Sequence, residues 1–171
     1  TQLDLEMSFV EEEDIVSLVE EMFISLVETV RPQMRVIKPF PRLTYAETMA
    51  RFGTDKPDLR FGMELCDFSD IVARSDFPPF RSTLIEGGRV RGICAPGCAS
   101  YSRRQLDELA EFVRARGATG LVTLALDGDR DVGLEDLTVE MVRSAAAKWL
   151  TIEQAREMAM RAGANMGDIL L

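Results

Sequence analysis

Residues 44–65 read TYAETMARFGTDKPDLRFGMEL, and the division of the chain turns on them. Thr44 and Glu47 have the T-x-x-E spacing of a capping box, in which each side chain satisfies an orphan N–H of a first helical turn. Gly53 stands where a glycine closes a helix by taking positive φ. Pro57 then keeps Lys56 out of helical angles. The spacing predicts a short helix, a stop and a rigid exit, with a new element running from Arg60 to Leu65. A domain boundary is expected at 63/64, so that 1–63 and 64–171 form separate domains.

Working outward from there, TQLDLEMSFV alternates with period two. Leu3, Leu5, Met7 and Phe9 fall on one face, and Gln2, Asp4, Glu6 and Ser8 on the other, which predicts a half-buried strand. Its polar face is either the wet side of a sheet or the lining of a pocket. From Ile15 to Val30 apolar residues recur at helical spacing, and Glu11, Glu12, Glu13 and Asp14 sit where the helix dipole favours anions. Pro32 ends that helix, and 34–42, with Pro39 and Pro41, reads as a connector.

Beyond the boundary a short helix is expected at 67–73 and a rigid link at Phe77-Pro78-Pro79-Phe80. Two strands, 81–85 and 89–95, are expected to form a hairpin at Glu86-Gly87-Gly88. Ser102 with Gln105 caps a helix over 103–116, and 121–126 is apolar enough for a central strand. Helices are expected at 139–149 and 152–162, the second capped by Thr151. The apolar run after Asp168 reads as a strand, and both ends of the chain read as unfinished. Together these predict an α+β fold, with a sheet and helices in two layers.

Composition excludes several chemistries. The chain has no histidine, which removes Ser-His-Asp and Cys-His catalysis and every His-ligated zinc site. Its three cysteines suit reduced thiols rather than a disulfide scaffold. Reduced thiols lead to the expectation of a cytoplasmic protein, and no stretch is apolar for long enough to span a bilayer. The net charge of −9 argues against a general nucleic-acid binder. Charge is nonetheless uneven: residues 1–30 hold nine acidic and no basic side chains, whereas 81–116 hold seven arginines against four acids.

The long ungapped string PFPRLTYAETMARFGTDKPDLRFGMEL resembles the part of bacterial-type aspartyl-tRNA synthetases that leads from the class II catalytic domain into the inserted GAD domain. TQLDLEMSFVEEED is similar to the strand and helix after the second class II signature motif, and PGCASYSRRQLDELAEFVRARGATGL to the middle of the GAD domain. The resemblance covers essentially the whole chain. It implies a catalytic-domain piece over 1–63. Over 64–171 it implies most of a GAD insertion, a two-layer sandwich of mostly antiparallel sheet with helices on one face. The parent is implied to be a homodimeric aspartate–tRNA ligase that uses ATP and Mg²⁺, with L-aspartate and tRNA as partners. Gln2 and Asp4 match positions that hold the ammonium group of the amino acid, with Glu6 adjacent. No catalytic residue and no metal ligand is implied within the chain, which is expected to be inactive alone. A GAD module of a tRNA-dependent amidotransferase is the alternative, and an acidic interaction domain without RNA a third.

Three further constellations carry residue types that suit ligand binding. Asp127, Asp129 and Asp131 open like a calcium loop, but Val132 and Thr138 stand where glycine and glutamate belong, so a solvated turn is expected. Cys94 and Cys98 lack the second pair of a zinc knuckle. Ser102, Arg103 and Arg104, entering a helix after the Gly97 turn, have the components of a contact to RNA phosphate, against the plainer reading of a capped helix with exposed arginines. Cys98 stands where family members show a second glycine.

Overall fold

The computed structural model describes residues 2–171. By its contacts the chain forms two compact units, Thr1–Leu43 and Thr44–Leu171. This division by packing falls before the expected boundary at 63/64.

The first unit is built on α1 (Glu12–Val30). Its acidic first turn serves the helix start, where the Asp14 carboxylate accepts from the Glu11 N–H at 2.9 Å. The connector folds back along this helix through its charges. Arg42 pairs with Glu20 at 2.7 Å, Lys38 with Glu28, and the Phe40 N–H donates to Glu20 at 2.5 Å. The strand expected over TQLDLEMSFV is not formed. A strand needs a ladder to satisfy its backbone, and no described segment pairs with residues 2–10. Leu3, Leu5, Met7 and Phe9 are all exposed.

The second unit opens with α2 (Tyr45–Arg51). Its capping box forms as read, with Thr44 N–H to Glu47 at 2.8 Å and Glu47 N–H to Thr44 Oγ1 at 3.2 Å. Gly53 takes φ +70°. The Arg51 guanidinium then grips Glu64 with two bonds of 2.7 Å, and the Leu65 N–H returns to Arg51 O at 2.7 Å. The turn after α2 is thereby closed back on the helix.

Next come β1 (Cys66–Asp67), α3 (Ser69–Val72) and α4 (Pro78–Ile85), followed by β2 (Arg91–Gly92), β3 (Cys94–Ala95) and α5 (Arg103–Arg114). The unit finishes with β4 (Leu124–Leu126), β5 (Val142–Ser144), α6 (Ile152–Arg161) and β6 (Ile169–Leu170). β1 and β2 form an antiparallel pair, and the other four strands an antiparallel sheet of order β3-β6-β4-β5. The architecture is α+β, as expected.

Strand alternation divides the core. Leu124, Leu126 and Leu170 join Ile71, Val72, Met158 and Met166 on one face. Ala95, Ala125 and Ile169 form the other, where Leu106 of α5 packs. Helices therefore meet both faces rather than one, since small alanines let α5 approach. α6 is fixed by more than packing: Gln154 Nε2 donates to Ile71 O at 3.2 Å, and Arg156 reaches Leu134 O at 2.8 Å.

Two other expectations change. Residues 81–85 are helix, not strand, because Pro78 and Pro79 preset the first turn of α4. Its supposed hairpin is the helix stop, with Gly87 at φ +77° and the Gly88 N–H bonded to Thr83 O at 2.8 Å. Residues 139–149 are not one helix but two short 3₁₀ turns around β5. Pairing with β4 overrides local propensity there.

Candidate functional site

Gln2 and Asp4 are brought together in the first unit. Gln2 Nε2 donates to Asp4 Oδ1 at 2.7 Å, and both side chains are exposed, as is Glu6. The pair is a carboxylate with one oxygen engaged by a neutral amide and the other open to a further donor. Such an acceptor suits a small cation, because burial of an ammonium must be offset by a fixed, preferably anionic, partner.

In the second unit, Ser102 caps α5. Its hydroxyl donates to Gln105 Oε1 at 2.8 Å, and its N–H donates to the same oxygen at 2.9 Å. The Gln105 N–H in turn approaches Ser102 Oγ at 3.4 Å. Arg104 pairs with Glu108 at 2.9 Å on the open surface, and Arg103 is exposed. The plain capped helix thus accounts for Ser102 and Arg104, while both arginines remain within reach of solvent anions.

The residue that sequence reasoning missed is Asp168. Its carboxylate is buried and gathers the Gly97 N–H at 2.7 Å, the Asn165 N–H at 2.9 Å and Arg130 Nη2 at 3.0 Å. The Cys94 thiol donates to it at 3.8 Å. A single acid thereby holds the turn that leads into Ser102, with Gly97 at φ +72°. A polar residue between Gly167 and the apolar strand was the available signal. Burial, and then the Asp168 charge, push the Cys94 thiol up to about 11, so it is not a nucleophile near neutral pH. The Asp127 carboxylate is taken by Arg143 at 2.9 Å, and the Asp129 side chain accepts from the Asp131 N–H at 3.3 Å. Among the described residues no group of three or more His, Cys, Asp or Glu side chains could hold a metal ion.

The second unit also contains a cavity of about 790 Å³ beside β2, bounded by α4, residues 119–122 and Arg114 of α5. Phe77 and Phe80 meet there edge to face at 4.9 Å. Arg89 and Arg91 at its rim share Asp67, at 3.0 and 3.8 Å.

The family described as tRNA synthetases class II (D, K and N) matches residues 1–158, and the chain belongs to it. Among its relatives is the aspartate–tRNA(Asp/Asn) ligase of Dehalococcoides mccartyi strain CBDB1, 49% identical over 171 residues, which are 100% of this chain and 28% of the relative. The ligase of the same name from Moorella thermoacetica is 46% identical, covering 100% of this chain and 26% of the relative. That of Rubrobacter xylanophilus is 42% identical over 98% of this chain and 26% of its own length. The chain therefore spans about a quarter of the curated relatives it matches.

Proposed function

We propose that the chain is part of an aspartate–tRNA ligase, which activates L-aspartate with ATP and transfers it to the 3′ end of tRNA. The observation that carries this reading is identity of 49% sustained over the full chain to a ligase of that name. The relatives' printed specificity, tRNA(Asp/Asn), extends the proposal to tRNA-Asn.

Residues 1–63 would then belong to the class II catalytic domain and 64–171 to a GAD insertion. The antiparallel four-stranded sheet supports the second assignment. Asp4, oriented by Gln2, would accept a hydrogen bond from the ammonium group of aspartate. Its strand would form where the rest of the catalytic sheet supplies a ladder. Ser102, Arg103 and Arg104 would face RNA phosphate, positioned through the turn that Asp168 holds. ATP and Mg²⁺ would serve the activation step in the parent enzyme; among the described residues no group of three or more His, Cys, Asp or Glu side chains could hold a metal ion. The protein would work in the cytoplasm as a homodimer; among the described residues no helix is long and apolar enough to cross a membrane. No observation favours the amidotransferase module.

Aspartate-dependent ATP–pyrophosphate exchange by the full-length protein tests the reading, and exchange driven by another amino acid but not by aspartate would overturn it. The 171-residue chain alone should show none. For the RNA contact, Arg103→Glu with Arg104→Glu in the full-length protein should weaken tRNA binding and flatten its salt dependence, leaving aspartate activation unchanged. Unaltered tRNA affinity would reduce Ser102–Arg104 to a capped helix.

A further inference from the structure

α5 keeps Leu106, Leu109, Ala110 and Val113 half-buried, with Leu106 on the alanine face of the sheet. Its largest apolar side chain lies elsewhere. Phe112 is 53% exposed, on the row Arg104–Glu108–Phe112–Arg116, whose four-residue spacing sets neighbours one turn apart. The row is bonded at both ends. Arg104 Nε donates to Glu108 at 2.9 Å, and Arg116 Nη1, just past the helix, donates to the Phe112 carbonyl at 3.2 Å.

A lone exposed phenylalanine asks for no explanation. This one differs in what lies on it. The Arg116 guanidinium stands 3.5 Å from the ring centroid, whereas Arg51 over Phe52 and Lys148 over Trp149 are each at 5.0 Å. At 3.5 Å the cation covers one face of the ring, and the bond from Nη1 keeps it there. The exposure that remains is on the uncovered side. Arg116 pairs with no acid among the described residues, so its charge is not cancelled.

We infer that Phe112 is a stacking platform for an unpaired base of tRNA, with Arg116 backing the ring and Arg104 meeting the RNA backbone about 12 Å further along the helix. The inference rests on the tRNA contact proposed above for the start of this helix, and extends it from phosphate to base. Bases stack on aromatic rings and guanidinium planes with little regard to sequence, and RNA offers them in loops, bulges and ends. A ring that already carries a cation suits this partner, because every base it could take up is linked to anions. An apolar protein surface would instead desolvate Arg116 without supplying a counter-charge. The ring is also held by the helix and the guanidinium before RNA arrives, so little conformational freedom is lost on binding.

Binding of a tRNA(Asp) transcript to full-length variants across a salt series tests it. Phe112→Leu, apolar but not aromatic, should weaken binding about 10-fold with an unchanged salt slope, since no phosphate contact is lost. Phe112→Trp, which keeps a stacking face, should bind within about twofold of the parent. Aspartate-dependent pyrophosphate exchange should match the parent in both. Normal affinity in Phe112→Leu beside a weakened Arg103→Glu, Arg104→Glu double variant would overturn the base stack alone. Normal affinity in both would remove the RNA contact on which the stack depends. Equal losses in Phe112→Leu and Phe112→Trp would also overturn it, because a stacking site accepts either ring.

Discussion

Residues 2–43 and 44–171 obey the same local rules and reach opposite outcomes. Both contain long apolar patterns and well-made helix starts. Yet no described residue of the first unit is buried, whereas in the second Ile71, Leu126, Met166 and Ile169 are fully enclosed. α1 holds its shape through acids at its start and ion pairs along its side, with Leu18, Phe23, Leu26 and Val30 left exposed. The second unit closes because antiparallel partners arrive from distant parts of the chain. Helices satisfy their own backbone and tolerate isolation; strands do not.

The sharpest way to break this contrast is a matched pair of truncations. Leu126→Ala should destabilise the second unit by about 3 kcal/mol, through lost transfer energy and a residual cavity. Leu26→Ala, on the exposed stripe of α1, should change the urea midpoint by less than about 0.5 kcal/mol equivalent. Similar losses from both would mean that α1 is as well packed as the core.

In the full-length protein the contrast acquires a functional side. Asp4→Ala should weaken aspartate binding by about 2 kcal/mol, the magnitude of a charge-assisted hydrogen bond, with ATP affinity little changed. An unchanged KM and kcat for aspartate would leave the polar side of 2–8 as plain surface.

A smaller effect is expected at the caps. Ser102→Ala should cost about 1 kcal/mol, seen as faster amide exchange in the first turn of α5 with the rest of the sheet unaffected. Exchange unchanged there would show that the Asp168 turn, rather than the cap, fixes the helix start.

The smallest effect concerns pH. Arg161, bonded to Asp70, holds that carboxyl down at about 2, below its ordinary value. Since the folded value is the depressed one, the contribution is present above the unfolded carboxyl value and is lost as pH falls toward 2. The pair is exposed and its contribution slight. The Tm of Asp70→Asn should fall just below that of the parent near neutral pH and meet it near pH 2; a gap that widened in acid would contradict the assignment.

What the sequence disclosed follows the range of each interaction. The boxes at Thr44–Glu47, Ser102–Gln105 and Thr151–Gln154 are three-residue devices, and all form as read. The central strand was visible in its apolar run, though only Leu124–Leu126 is in the ladder. Residues 81–85 and 139–149 were misread because their states depend on a proline-preset turn and on a partner strand near residue 125. For the site, Ser102–Arg104 could be located by its cap. Asp168 stood out only as a polar residue before an apolar strand; its role did not, since its partners Gly97 and Arg130 lie 71 and 38 residues away.

That separation has a consequence for how the protein is made. Chains emerge from the ribosome N-terminus first. The turn at Gly97 and the entry to α5 are therefore synthesised well before the carboxylate that fastens them. Until Asp168 emerges, the Gly97 N–H has only water as a partner, and α5 can start but its approach angle is unset. Asp168 locks an element finished more than fifty residues before it, so a nascent chain halted short of 168 would carry its helix on a loose tether.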